Sequence, residues 1–264
     1  LAVERSVHAA IGGAYRSQGI TTLELRFNPM KRNRGGERDL DHIILAAIRG
    51  LDRASIEYPQ VRAGLILMMD RTFGARQNEV IVEKAIRWAD RGIVGIDIAG
   101  PRPGGERYEY AQVAPMVETA REAGLGVTIH VGEEGGAIGR EEIAEVVDVL
   151  RPERIGHGIL AAGDDELMTE LHEREIVLEI CPTSNLLTKA LPDEDAVRDT
   201  FRTFVANGVQ FTIATDGPEM MRTHLRDEFD LLLRIRALDE SEARAANKRG
   251  HEAAFAIPRV RQQA

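Results

Sequence analysis

The stretch Gly124-Leu125-Gly126-Val127-Thr128-Ile129-His130-Val131-Gly132-Glu133-Glu134 sets a strand, a histidine and a carboxylate in a row. Its centre, Gly126–Val131, is β-branched and apolar on both faces, the pattern of a strand covered on both sides. Gly124 stands where a left-handed C-terminal cap would end the preceding helix. The same unit recurs along the chain. Apolar segments of strand length lie at Thr22–Phe27, Arg62–Met68, Ile93–Ile98, Gly126–Val131, Arg154–Gly156, Ile176–Ile180 and Val209–Ala214. Segments of helical period separate them, among them Glu79–Arg91, Tyr110–Ala123, Arg140–Leu150, Asp164–Arg174 and Ala196–Asn207, and Ala2–Ser17 precedes the first strand. Gly92 and Gly208 mark further helix ends.

Strands alternating with helices predict a parallel sheet, for which two architectures compete. A doubly wound sheet collects its ligand at one switch point, whereas a barrel gathers residues from every strand into one mouth. Here polar residues sit at the carboxyl ends of many strands: Asn28-Pro29, Asp70, Gly100-Pro101, His130 with Glu133, His157, Cys181–Asn185 and Asp216. That spread selects the barrel. The expectation is an α/β fold, a (βα)8 TIM-type barrel forming one domain over residues 1–264. Its first strand is missing, so that seven are visible. The polar stretch Lys31–Asp39 reads as a flexible loop near the mouth.

Composition narrows the function classes. The chain has 264 residues, is 43% apolar and 29% charged, and carries a net charge of −9. An acidic chain without a basic block argues against nucleic acid or an anionic membrane as partner. The longest apolar runs fall well short of the roughly 20 residues of a membrane span. The opening residues mix charge throughout and lack the apolar core of a signal peptide. The lone Cys181 excludes an intrachain disulfide and a cysteine-rich zinc knuckle. A cytoplasmic location is the expectation.

Each polar motif has an ordinary reading beside a chemical one. His130 ends a strand and Glu133 opens a helix, where acidic residues are favoured anyway; alternatively, an imidazole metal ligand stands beside a proton-carrying carboxylate. His157 lies between Gly156 and Gly158, so it is either a turn histidine or an imidazole projecting into an open cleft. The hydroxyls and amide after Pro182 are common turn chemistry, or they brace a mouth histidine and fix its tautomer. Asp216-Gly217-Pro218 is a turn signal, or the strand-end site of a metal-binding carboxylate. Cys181 reads as buried packing.

Taken in order, these motifs resemble the adenosine deaminase branch of the amidohydrolase superfamily. The segments carrying the resemblance are Leu23–Pro29, Gly95–Pro101, His130–Glu133, Gly156–Gly158, Cys181–Asn185 and Thr215-Asp216, across nearly the whole chain. The resemblance implies one zinc ion bound by His130 and Asp216. It implies that Glu133 protonates a purine ring nitrogen and that His157 orients and deprotonates a zinc-bound water. It also implies that Gly100 contacts the purine and that Glu179 with Ser184 braces His157. The expected partner is a small purine, turned over to its 6-oxo form with release of ammonia.

The sequence departs from the family pattern twice. The family opens with a His-x-His strand supplying two metal ligands, and neither His8 nor His42 lies in such a motif. A chain incomplete at its N-terminus is the expectation. The family also carries a second aspartate after the strand-eight one, where this chain has Gly217. Losing that carboxylate should change base recognition by ~1–3 kcal/mol, unless Glu219 reaches in. Adenosine or a related nucleoside is the leading substrate. Adenine or an adenine-bearing intermediate such as aminodeoxyfutalosine is the alternative, and a metal-poor barrel without activity is the reading from a different class.

Overall fold

The computed structural model describes residues 2–257 apart from 34, 35 and 37, so part of the Lys31–Asp39 loop lies outside the described residues. The described chain falls into two compact units.

The first unit holds the described residues of 1–104, 112–127 and 254–264. Strands β1 (Thr22–Phe27), β2 (Arg62–Asp70) and β3 (Ile93–Ala99) pair in parallel, with Thr22 opposite Arg62 and Met68 opposite Asp97. The first residues of β4 (Gly126–Val131) join them, Gly95 facing Gly126. Leu65, Ile66, Leu67, Met69, Ile96 and Ile98 are fully buried, as strands covered on both faces require. Helix α2 (Asp41–Glu57) turns Ile43, Ile44, Ala47, Ile48 and Leu51 inward at helical spacing. Helix α1 (Ala2–Gln18) crosses it closely at Gly50, where a β-carbon would stand 2.5 Å from the Glu4 carbonyl oxygen. Helix α3 (Ala75–Arg87) is locked to the end of β2 by Asn78, whose side chain accepts the Asp70 N–H at 2.9 Å and donates to the Asp70 carbonyl at 3.0 Å. Helix α4 (Ala114–Glu122) completes this unit.

The second unit comprises residues 105–111 and 128–253. The rest of β4 pairs with β5 (Arg154–His157), β5 with β6 (Val177–Ile180), and β6 with β7 (Phe211–Ile213), all parallel. Around them run α5 (Ala137–Glu145), continuing into a π-helical turn at Val146–Leu150, then α6 (Asp165–Glu173), α7 (Pro182–Leu187) and α8 (Glu194–Ala206). Helices α9 (Pro218–Met221), α10 (Leu225–Arg234) and α11 (Glu240–Ala253) follow β7. Asp164 and Asp193 cap α6 and α8 by accepting first-turn N–H groups. Phe201 and Phe204 of α8 fill the core with Leu171, Leu178 and Ile180.

Strand neighbours follow chain order from β1 to β7 without reversal. A doubly wound sheet must reverse its order at the switch point, so the sequential order excludes it and assigns the (βα)-barrel class. The strand boundaries expected from sequence agree to within two residues. The helix expected at Glu79–Arg91 instead starts at Ala75 and tightens into a 3-10 turn at Ala89–Arg91, closed by Gly92 at φ 101°. Among the described residues no helix is long and apolar enough to cross a membrane.

Candidate active site

In the second unit the carboxyl ends of four strands present the polar residues singled out above. The pairing register puts His130, Gly156, Glu179 and Thr212 in one row across β4, β5, β6 and β7. Gly156 is the gap in that row. A β-carbon there would lie 3.1 Å from the His130 ring, closer than side chains ordinarily approach, so the glycine seats the imidazole. The rings of His130 and His157 then stand edge to face, with centroids 5.5 Å apart.

Backbone conformation marks two of these positions. Seven non-glycine residues have positive φ among the described residues. Five of them (Arg151, Glu175, Lys189, Arg222 and Arg236) stand at or just beyond helix ends, where a left-handed cap is expected. The other two are His157 at φ 62° and Asp216 at φ 56°, one ending β5 and one following β7. A left-handed L-residue costs ~1–3 kcal/mol, and such strain concentrates where a side chain must be aimed.

Side-chain bonds fix the aim. Asn185 Nδ2 donates to His157 Nδ1 at 3.0 Å, deep in the protein. An accepting Nδ1 carries no proton, so the ring proton sits on Nε2. That nitrogen faces Glu133 Oε2 at 3.6 Å. The other carboxylate oxygen of Glu133 accepts from the Thr188 hydroxyl at 3.0 Å. Ser184 donates to Asp216 Oδ2 at 2.8 Å. Glu179 accepts from Thr128 Oγ1 and pairs with Arg154 Nε, both at 3.0 Å. Cys181 is buried, its thiol 3.7 Å from the Glu179 carbonyl oxygen.

Two of these bonding residues, Ser184 and Asn185, lie on α7, and Thr188 caps its end, in a segment whose sequence also reads as a turn. Ser184 does not reach His157 as the resemblance implied; its hydroxyl turns to Asp216, and the neighbouring Asn185 meets His157. Consecutive helical residues point about 100° apart, so one turn can serve two partners. Thr188 and the buried Glu228 behind α7 were not singled out from sequence, whereas Asn185, the amide read as a brace for a mouth histidine, is the residue that meets His157. Pro182 was the available signal, because proline at the first helical position starts a helix and puts Ser184 and Thr188 on one face.

The remaining expected residues are placed as follows. Gly100 belongs to the first unit, with φ 93° and its carbonyl accepting from Arg71. Gly217 has an ordinary φ of −105°, and a β-carbon there would meet the Met220 methyl at 2.8 Å. Glu219 is exposed in the first turn of α9.

The donor set bears on a metal. His130 and Asp216 offer an imidazole and a carboxylate, the chemistry a divalent transition ion takes, but a catalytic zinc ordinarily has three protein ligands. Among the described residues no group of three His, Cys, Asp or Glu is arranged to hold an ion. The pair fits the chemistry; by itself it is not a complete set.

Comparison with known proteins supplies the family. The adenosine deaminase family model matches residues 2–263. An adenine deaminase of Rhizobium johnstonii is 36% identical over 239 residues, 90% of this chain and 71% of its own. An adenosine deaminase of Pectobacterium atrosepticum is 32% identical over 245 residues, 93% of this chain and 70% of its own. The crystal structure of an Arabidopsis N6-mAMP deaminase superposes with a TM-score of 0.82 at 28% identity, covering 99% of this chain and 76% of that one. With the model matched along nearly the whole sequence, the chain belongs to the adenosine deaminase family of metal-dependent aminohydrolases.

Proposed function

We propose that the protein removes the 6-amino group of a purine by hydrolysis, with adenosine or a close relative as substrate. The single observation that carries this reading is the placement of Glu133 beside His157 Nε2, with His157 held by Asn185 of α7 and Glu133 by Thr188 at that helix's C-cap. Water adds its oxygen at the ring carbon bearing the amine. One proton reaches the adjacent ring nitrogen, the other leaves with the amine as ammonia, and a carbonyl remains.

Glu133 is the proton carrier in this scheme. Its side chain is 29% exposed, open enough to meet a ligand and sheltered enough to hold a defined place. The 3.6 Å gap to His157 is longer than a hydrogen bond and leaves room for the contact to tighten around substrate. His157 directs its Nε2–H toward Glu133 and can orient an acceptor placed between them. For Nε2 to take a proton instead, the Asn185 amide must turn its oxygen to Nδ1–H. An amide carries both groups at one end and so supports either tautomer. A zinc ion held by His130 and Asp216 with further donors would supply a water acidic enough to ionise near neutral pH.

Gly217 and Met220 favour a second reading of the substrate. They put a methyl group, not a carboxylate, after Asp216, and adenine or another 6-aminopurine then competes with adenosine. The relative from Rhizobium johnstonii bears the name adenine deaminase, which supports the same alternative. Ammonia release by the metal-loaded protein from adenosine, adenine and N6-methyl-AMP separates the readings by their kcat/KM values. A panel that releases no ammonia from any 6-aminopurine overturns the proposal.

A further inference from the structure

Helix α7 and the residue that caps it touch three functional side chains: Ser184 to Asp216, Asn185 to His157, and Thr188, just past the helix's end, to Glu133. The last contact differs from the others in a way that its geometry makes explicit. Thr188 Oγ1 lies 3.0 Å from Glu133 Oε1 and also 3.0 Å from the carbonyl oxygen of Ser184. A hydroxyl has one proton and two lone pairs. It can satisfy only one of these acceptors at full strength while keeping capacity to accept.

We propose that Thr188 is the positioning residue for Glu133, a hydroxyl that switches its proton between Glu133 and the Ser184 carbonyl and so holds the carboxyl group in both of its protonation states. This rests on the proton-carrying role proposed for Glu133. When Glu133 is a carboxylate, Thr188 donates to it, and the charge makes that bond stronger than one to a neutral carbonyl. When Glu133 is a carboxylic acid, its O–H donates to Thr188 Oγ1, and the threonine proton turns to the Ser184 carbonyl. The threonine keeps its own proton and only turns it between acceptors; the proton that separates the two states of Glu133 is the one passed to the ring nitrogen, and the Oε1–Oγ1 line is kept throughout. Asn and Gln carry donors and acceptors on separate atoms, and valine has neither; a hydroxyl alone serves both states from one atom.

The anchor for this switch lies behind α7. Glu228 is fully buried on α10 and accepts the Thr183 N–H at 2.9 Å and the Thr223 hydroxyl at 2.8 Å. The first turn of α7 is thereby tied down one residue before Ser184, whose carbonyl the Thr188 proton needs. Because Glu133 is part-exposed, water competes for its oxygen and the expected effect is moderate.

The test is steady-state turnover of the best 6-aminopurine by the metal-loaded wild type, Thr188→Val and Thr188→Ser, with a crystal structure of Thr188→Val. Valine matches threonine in shape and removes the hydroxyl, and should lower kcat by about tenfold through a misplaced carboxyl. KM should stay within about twofold and metal content should be unchanged. Serine, which restores the hydroxyl, should recover most of the rate. The structure should show Glu133 withdrawn from His157. Unchanged kcat in Thr188→Val, a loss confined to KM, or a serine variant no better than valine overturns the proposal. If the wild type deaminates no purine, the functional reading falls. The crystal structure then decides this inference: Glu133 unmoved beside Val at 188 overturns it.

Discussion

The strand ends of the two units are built from the same residue types and held in opposite ways. In the first unit they are closed by ion pairs. Arg26 meets Asp97 at 3.0 Å, with Asp97 wholly buried, and Lys31 pairs with Asp70, which also accepts from Thr72. In the second unit one carboxylate of the sheet, Glu179, is likewise closed by a cation, Arg154, but the three groups at the chemistry are held by neutral partners: a serine for Asp216, an asparagine for His157 and a threonine for Glu133. A carboxylate locked to a cation has its charge fixed and its oxygens occupied. One held by a hydroxyl keeps its negative charge uncompensated and an oxygen available. The backbone agrees, since among the described residues the two non-glycine left-handed positions at or just after a strand end, His157 and Asp216, both belong to the second unit. The first set of strand ends is built to stay put; the second keeps the groups to which we assign the chemistry.

That contrast can be broken by substitution. The largest effect should come from Glu133→Gln, which removes a transferable proton while preserving shape. We expect kcat to fall by roughly 10²–10⁴-fold, with melting temperature and metal content unchanged. Retained activity would take Glu133 out of the chemistry. Asp97→Asn should do the reverse. Leaving Arg26 without its buried counter-charge should cost about 3 kcal/mol in a denaturant titration, near the low end for such pairs because Arg26 keeps partial exposure. Its kcat on folded protein should match the wild type, and a selective loss of rate would blur the division between the two regions.

The smallest expected effect concerns pH and has opposite signs in the two units. Burial, the largest single influence on Asp70, pushes its pKa up, but the bonds from Lys31 and Thr72 together outweigh it and hold it below 3.8. Its stabilisation is therefore present above that value and fades as pH falls through the folded pKa. Burial also dominates Glu228, and there the bonds from Thr183 and Thr223 do not cancel it, so its pKa stands above 4.5. Its stabilisation is complete below 4.5 and fades as pH rises through the folded pKa. In urea titrations across this range Glu228→Gln should flatten the loss on the alkaline side, and Asp70→Asn the loss on the acid side. A Glu228→Gln curve parallel to the wild type would remove Glu228 as a titrating group.

How far the sequence carried depends on element length. Strands such as β1 and β4 were legible to the residue, because an apolar run between a glycine and a polar end is a strong local signal. Helix α11 was not read, since its buried positions are the small residues Ala243, Ala246 and Ala253, and the rest of its surface is polar. Helix α7 is the instructive miss. Its six residues are too few for a periodic pattern, and Thr, Ser and Asn after proline imitate a turn. His130, Glu133, His157 and Asp216 could be named because they lie at, or within three residues beyond, the carboxyl ends of strands. Of their partners the amide of Asn185 was legible, but Ser184 was assigned to the wrong residue and Thr188 was missed, because a hydroxyl's bond depends on which side of a short helix it occupies.

Hydrolytic deamination by this second-unit site is tested most directly by turnover in ¹⁸O-labelled water, with ammonia and the labelled purine counted together. The account predicts one ammonia for each 6-oxopurine formed and one ¹⁸O in that carbonyl. Product without the label, or ammonia unaccompanied by a 6-oxopurine, would contradict it.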